Sequence, residues 1–390
     1  MNQILLFIGL VIILCLTIKP VGKKLPFPTL LIFIALGMLL GVNGPAHIDF
    51  SDYALTETVC STALLFIMFY GGFNTNIDRA KPVAAPAVLL STLGVIATAG
   101  ITGVFAHFAL GFDWIGGLLL GSVVASTDAA SVFSVLREHN LSLKGGTDSL
   151  LEVESGSNDP VAYMLTAVLA TLAAGGNIDI PVLLAKQIIL GVGLGLAIGW
   201  ISSRLIERAH ATAEGAQTIF LFAVAIVAYA LPSYLGGNGF LAVYLAGIVL
   251  GASDITGKVE MAHFFDTLTE MAEMTIFFLL GLLVTPARLP QMLLPGLALM
   301  AFMLFASRPI AVGLLLAPFK TSPRQVALVS WAGLRGAASV VFSLFAVVAG
   351  VPGGHDLFDL VFVIAVSSIV VQGSLPVSYT HLTLPTTSRV

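Results

Sequence analysis

LEVESGSNDPVAYM, residues 151–164, runs directly into the apolar LTAVLATLAA of residues 165–174. Glu152, Glu154, Asp159 and Pro160 thus stand at the head of a greasy helix. What that means depends on the medium around the chain. Of its 390 residues, 57% are hydrophobic and 10% charged, and mean hydropathy is +1.01. A soluble domain carries about 25% charged residues. So little polar surface cannot cover a water-soluble body, and the chain reads as an all-α polytopic membrane protein. Apolar runs of about 16–27 residues recur, against the roughly ten-residue alternating strands of a membrane barrel. The formal net charge of −4 says little about partners, because most of the surface faces lipid.

Thirteen spans can be drawn, at roughly 3–18, 28–42, 59–73, 84–110, 115–136, 149–173, 181–203, 217–235, 238–252, 264–284, 291–318, 325–349 and 357–375. The first run, Gln3–Ile18, has no basic residue before it and no small-residue cleavage site after it, so it reads as a retained helix. With the N-terminus outside, the inner loops hold Lys19, Lys23, Lys24, Arg79, Lys81, Arg137, Lys144, Arg204, Arg208, Lys258, Lys320 and Arg324. The outer loops hold Arg288, with Lys186 near an outer helix end. Cytoplasmic loops are enriched in Lys and Arg, so this asymmetry supports the span count and puts the C-terminus in the cytoplasm. Cys15 and Cys60 fall in apolar runs, and no structural disulfide is expected. A transmembrane domain over 1–375 is followed by VSYTHLTLPTTSRV, residues 377–390, a polar stretch that looks like a non-native or truncated ending.

Few ionisable residues remain at membrane depth: Asp128, Glu154, Asp159, Arg308 and Arg335, with Glu152, Asp266, Glu270 and Glu273 nearer helix ends. A charge at the bilayer centre costs at least ~2.5–3.5 kcal/mol, so each marks a functional site and calls for a partner. On a helix Ser155 and Asp159 share one face, and Glu154 and Asn158 another. Glu154 and Asp159 are about 140° apart around the axis. Pro160 removes an N–H and crowds the carbonyl of Gly156, leaving an oxygen free for a hard cation. Arg308 needs a carboxylate and Glu154 is available; that pairing leaves Asp159 without a permanent cation partner. Arg308 snorkelling to an interface, helped by Pro309, is the plainer alternative.

SVVASTDAASVFSVL, residues 122–136, sets Asp128 between two apolar halves beside Ser126 and Thr127, residues that weaken a helix interior. VSWAGLRGAASVVFSL, residues 329–344, does the same with Arg335 between Gly333 and Gly336. Spans 1–6 and 8–13 can form two inverted repeats, which pair the span of Asp128 with that of Arg335. Two discontinuous helices would then cross at the midplane, with Asp128 and Arg335 neutralising the facing half-helix ends. Asp266, Glu270 and Glu273 form a polar stripe that reads as a solvated or funnel-lining face. His47, His263 and His355 read as lone loop histidines. No metal-ligand spacing, cofactor motif, phosphate loop, nucleophile elbow or nucleic-acid patch is present, so an enzyme is not expected.

STDAASVFSVL (126–136), ESGSNDP (154–160), SRP (307–309) and GLRGAAS (333–339), in that order, resemble the monovalent cation:proton antiporters of the NhaP type, related to animal sodium/proton exchangers. The likeness covers most of 1–375 and is greatest to the bacterial potassium/proton branch. It implies that Asp159 is the carboxylate that takes either cation or proton. Asn158 would stand where electrogenic relatives have a second Asp, which implies electroneutral exchange. Thr127 and Ser155 would offer oxygen ligands, Glu154 and Arg308 would form a buried ion pair, and Asp128 and Arg335 would sit at the helix crossing. Asp128 would also border the cation. The likeness further implies a core domain moving against a scaffold, a homodimer through the scaffold spans, and a bacterial inner membrane.

The resulting expectation is antiport of K⁺, or of Na⁺, against H⁺ by competition at Asp159 with alternating access. A bare carboxylate resists crossing, whereas a protonated or cation-bound one is nearly neutral. The rival classes are a cation channel, which would need a continuous polar pore, and a proton-coupled organic-anion symporter. The symporter would need spare positive charge, whereas both membrane arginines have acidic candidates.

Overall fold

The computed structural model describes residues 2–22, 28–42, 44–45, 47–128, 141–143, 146–208, 215–373 and 383–385. They are almost wholly helical. Helices α1 (Asn2–Gly22), α2 (Leu30–Leu40) and α3 (Tyr53–Asn74) come first. Next are α4 (Ile77–Leu110), α5 (Trp114–Val123), α6 (Thr147–Ala173), α7 (Ile180–Arg208), α8 (Ala216–Tyr234), α9 (Gly239–Ala252) and α10 (Lys258–Leu283). The series closes with α11 (Leu289–Phe319), α12 (Pro323–Trp331), α13 (Ala337–Val348) and α14 (Gly354–Gly373). Among the described residues the only β structure is a short antiparallel pairing of Leu141–Leu143 with Thr383–Pro385, the latter from the 377–390 tail. The rest of that tail, and residues 129–136 of the fifth expected span, lie outside the described residues.

α3, α4, α7, α8, α11 and α14 are long and apolar enough to cross a membrane. α2, α5, α9 and α13 are apolar but shorter. The ends follow local chemistry. Asp52, Asp113, Asn238 and Ser322 cap α3, α5, α9 and α12 by accepting backbone N–H bonds, and Gly111 closes α4 at φ 78°. Helix also extends beyond the apolar stretches, into polar residues. This corrects one expectation: His263 and His355 lie inside α10 and α14 and are not loop residues.

The helices pack as two groups. α2, α3, α7, α8, α9 and α10 form one, with α1 lying against α2. α4, α5, α6, α11, α12, α13 and α14 form the other. The first group packs by backbone approach. A Cβ on Gly247 of α9 would come 2.5 Å from the Phe69 carbonyl of α3, so only glycine fits there. Between the groups, α6 and α13 of the second meet α3, α9 and α10 of the first.

Two irregularities recur in the second group. Turns of π-helix interrupt α4 at Leu90–Gly94 and α11 at Met303–Ser307. The second lies just before Pro309, whose missing N–H and ring disrupt the regular ladder. The other irregularity is unwound chain. α5 ends at Val123 and residues 124–128 are not helical; α12 ends at Trp331 and helix resumes at Ala337.

Candidate functional site

The two unwound stretches meet. The Asp128 N–H donates to the Leu334 carbonyl at 2.8 Å, so each stretch satisfies part of the other's backbone. Arg335, 3% exposed, donates from Nη1 to the Ala125 and Ser126 carbonyls at 2.8 and 2.7 Å. Those carbonyls extend the C-terminal, negative end of α5, where a cation is favourable. Asp128 lies against Gly336, the N-cap of α13; a Cβ there would be 2.7 Å from Asp128 Cγ. That is the positive end of α13, where an acid is favourable. Asp128 is half-buried. Each break thus carries the charge that suits the other's helix end.

α14 braces the second break from behind. Ser368 Oγ accepts from the Arg335 backbone N–H at 2.9 Å, and Gln372 Nε2 donates to the Trp331 carbonyl at 2.6 Å. Ser368 in turn donates to Gln372 Oε1.

α6 runs past this crossing. Asp159 is 6% exposed, and its carboxylate accepts from the Ser126 hydroxyl in the first break. Asn158, fully buried, donates from Nδ2 to Thr127 Oγ1 at 2.5 Å. Ser155, half-buried, donates from Oγ to the Thr127 carbonyl at 2.6 Å. Asp159, Asn158, Ser155, Thr127 and Asp128 are therefore brought together around residues 126–128. No cation side chain pairs with Asp159 among the described residues. Pro160, within α6, offers its own carbonyl to Asn238 Nδ2 at 2.7 Å. Gly156 packs under the Tyr244 ring: a Cβ on it would be 2.9 Å from Tyr244 Cζ.

Glu154 points elsewhere. Its Oε1 lies 2.5 Å from Arg308 Nη2, both residues being 2% exposed or less. Arg308 sits just after the π turn of α11. Ser307 beside it shares a hydrogen bond with Thr102 at 2.9 Å and donates to the Thr98 carbonyl at 3.1 Å, both on α4. A small cavity lies between the two arginines, lined by Arg308, Ser330, Gly333, Arg335, Ser368 and Gln372. Among the described residues, Arg308 Nε and Glu154 Oε2 make no further bond.

The acidic stripe of α10 is peripheral. Asp266 is exposed and accepts from Tyr70 of α3 at 3.0 Å; Glu270 and Glu273 are half-buried. Several residues escape sequence reasoning. Ser126, Ser368 and Gln372 have no charge to mark them, although Ser126 stands beside Thr127 in the weak helix interior. Asp359 is buried 3.5 Å from Arg288 Nε, and Arg288 also pairs with Asp356. An acid that deep in α14, with an arginine stranded on a loop, was a readable signal.

Residues 9–378 match the family described as sodium/hydrogen exchanger, transmembrane. The chain belongs to this family. The K(+)/H(+) antiporter NhaP2 of Shewanella sp. (strain ANA-3) is 38% identical over 379 residues, 96% of this chain and 66% of that protein. The K(+)/H(+) antiporter NhaP of Alkalimonas amylolytica is 37% identical, over 95% of this chain and 65% of its own length. The chain thus spans just under two thirds of the length of these curated relatives. The structure of the sodium proton antiporter MjNhaP1 from Methanocaldococcus jannaschii superposes with a TM-score of 0.84 at 22% identity, covering 97% of both chains. The sodium/hydrogen exchanger fold is therefore the fold of this chain.

Proposed function

We propose that the chain exchanges a monovalent cation, K⁺ in preference to Na⁺, for H⁺ across a bacterial inner membrane. The observation that carries this is the contrast on α6. Asp159 is buried against the Ser126 hydroxyl with no cation side chain beside it among the described residues, while Glu154 has Arg308. A buried carboxylate left without a built-in cation must take one from solution or hold a proton. Proton and cation exclude each other there, and either ligand makes the site nearly neutral. K⁺ rather than Na⁺ is supported by the names of the curated relatives.

In this reading Asp159 binds the cation or the proton. Thr127 and Ser155 supply oxygens, and Asp128 borders the site. Arg335 and Asp128 neutralise the half-helix ends, so the site's field is set by Asp159. Asn158 is neutral beside it, so one charge leaves for each that enters and exchange is electroneutral. Asn158→Asp is then expected to make exchange respond to membrane potential, read as a voltage-dependent rate in proteoliposomes.

The proposed architecture is thirteen spans in two inverted repeats. The recurrence of a π turn in α4 and α11, and of a break after α5 and after α12, supports that pairing. The group of α4–α6 and α11–α14 is the moving core, and the other group the scaffold through which a homodimer forms. The N-terminus lies outside and the C-terminus in the cytoplasm, from the Lys and Arg of the loops. The transmembrane domain is 1–375, and 377–390 is not part of it.

The test is proton flux in proteoliposomes challenged in turn with K⁺, Na⁺, Li⁺ and an inert cation. Saturable flux driven by K⁺, lost in Asp159→Asn, is expected. Full exchange by Asp159→Asn would sink the assignment. Flux that does not saturate would favour a channel.

A further inference from the structure

We infer that Asn238 is a positioning residue for this exchange, holding α6 against the scaffold by a bond that must break for the core to move. The inference rests on the exchange reading given above. Asn238 is 1% exposed and directly precedes α9. Its Oδ1 accepts from the Leu241 N–H at 3.0 Å, capping α9. Its own backbone N–H donates to the Gln187 carbonyl of α7 at 3.2 Å. The residue is thereby fixed to two scaffold helices. Its side-chain amide then reaches out of the scaffold, donating to the Pro160 carbonyl of α6 at 2.7 Å. Pro160 is the residue after Asp159, so this bond grips the core helix at the ion site itself.

A helix cap alone does not explain this residue. Capping needs an acceptor oxygen, which Ser, Thr or Asp supplies as well as Asn. Only the reach across to α6 needs the amide donor.

The surroundings make the bond count. One turn beyond Asp159, Tyr163 packs edge-on against Phe240 of α9 at 4.9 Å and Phe345 of α13 at 5.2 Å. Tyr229 of α8 lies 4.9 Å from Phe240. This aromatic cluster joins scaffold to core and keeps water from replacing the partner of the Asn238 amide, which raises the weight of the bond. Any sliding of α6 along α9 separates Nδ2 from the Pro160 carbonyl. The bonded arrangement is therefore one of the two access states, favoured by about one net hydrogen bond. Removing the bond shifts a two-state equilibrium by roughly two- to tenfold.

Asn238→Ser separates the two roles, because it keeps a capping oxygen but lacks the reach. The full chain would be measured in proteoliposomes, with apparent KM for K⁺ taken from each face at fixed pH. Deuterium uptake of α6 would be followed in nanodiscs, which needs no transport. For Asn238→Ser the expected result is a melting temperature between those of wild type and Asn238→Ala, and apparent KM values that move in opposite directions on the two faces by roughly two- to tenfold. Faster exchange of the α6 amides around Asp159 should accompany this. Asn238→Ala should show the same changes with a lower melting temperature. Wild-type KM on both faces together with wild-type protection of α6 would overturn the inference. A KM change of the same sign on both faces would mark damage to the ion site and overturn it too. If the unaltered chain shows no cation-driven flux, the exchange reading fails; the α6 comparison still decides whether Asn238 holds that helix.

Discussion

Glu154 and Asp159 are the same chemistry in two settings, five residues apart on one helix. Both are buried among apolar helices, and both sit beside polar groups drawn from outside α6. Glu154 faces α11, where the π turn before Pro309 presents Arg308 2.5 Å away. Asp159 faces the break after α5, where Ser126 offers a hydroxyl and the arginine of the crossing, Arg335, is spent on the Ala125 and Ser126 carbonyls. One carboxylate has its charge matched permanently by the protein. The other is left to be matched by whatever solution provides. Under the proposed exchange, that difference separates a structural acid from a transporting one, and burial alone does not reveal it.

The contrast predicts opposite phenotypes. Asp159→Asn removes the exchanging group but leaves no buried charge behind, so exchange should fall to that of protein-free liposomes while thermal stability is unchanged or raised. Glu154→Gln strands Arg308 in the membrane. Breaking a buried pair from one side costs roughly 3–5 kcal/mol, so a lowered melting temperature and poor yield are expected before any transport defect. Glu154→Gln combined with Arg308→Met should restore much of that stability, since replacing both partners by neutral groups is often nearly neutral. If Glu154→Gln were stable and transport-dead while Asp159→Asn misfolded, the two roles would be reversed.

A smaller effect tests the competition itself. In the proposed mechanism cation and proton exclude each other at Asp159, so lowering the pH should raise the apparent KM for K⁺ and leave the maximal rate at saturating K⁺ nearly unchanged. The limit for one exclusive site is about tenfold per pH unit, by mass action. Measuring KM across several pH values in proteoliposomes checks this. A KM that ignores pH while the maximal rate falls would place proton binding somewhere other than Asp159.

The membrane class, most helices and the charged residues of the site were legible in the sequence, because each rests on a large local cost. Charges at membrane depth are expensive, so Asp128, Glu154, Asp159, Arg308 and Arg335 stand out against the apolar runs. The breaks near Asp128 and Arg335 were legible because Ser, Thr and Gly there weaken a helix interior. Neutral polar residues were not. Ser126, Asn238, Ser368 and Gln372 cost little in sequence terms, and only packing shows that their hydrogen bonds join different helices. The π turns were hidden too, because apolar content does not distinguish a π turn from regular helix. Helix ends at His263 and His355 were misread because both helices run on into polar residues, Lys258–Glu260 before His263 and Gly354–Asp356 around His355, where apolar content no longer marks them. Asp359 was missed among the charges of α14 although Arg288 stood unpaired nearby.

Ser126 gives the finest test of the comparison, because its hydroxyl hydrogen-bonds Asp159 directly. A donor hydroxyl favours the charged form of a carboxylate. It does so for the cation-bound state, in which the carboxylate stays ionised, more than for the protonated one. Ser126→Ala should therefore weaken K⁺ binding relative to the proton. The effect is a difference between two bound states, so it should be modest, about fivefold in apparent KM at neutral pH. Its backbone carbonyl still meets Arg335, so the crossing and the melting temperature should hold. Ser126→Thr keeps the hydroxyl and should restore most of the affinity. Equal losses in Ser126→Ala and Ser126→Thr would mean that packing in the break, and not the hydroxyl, is what Asp159 feels. The distinction between Glu154 and Asp159 would then rest on Arg308 alone.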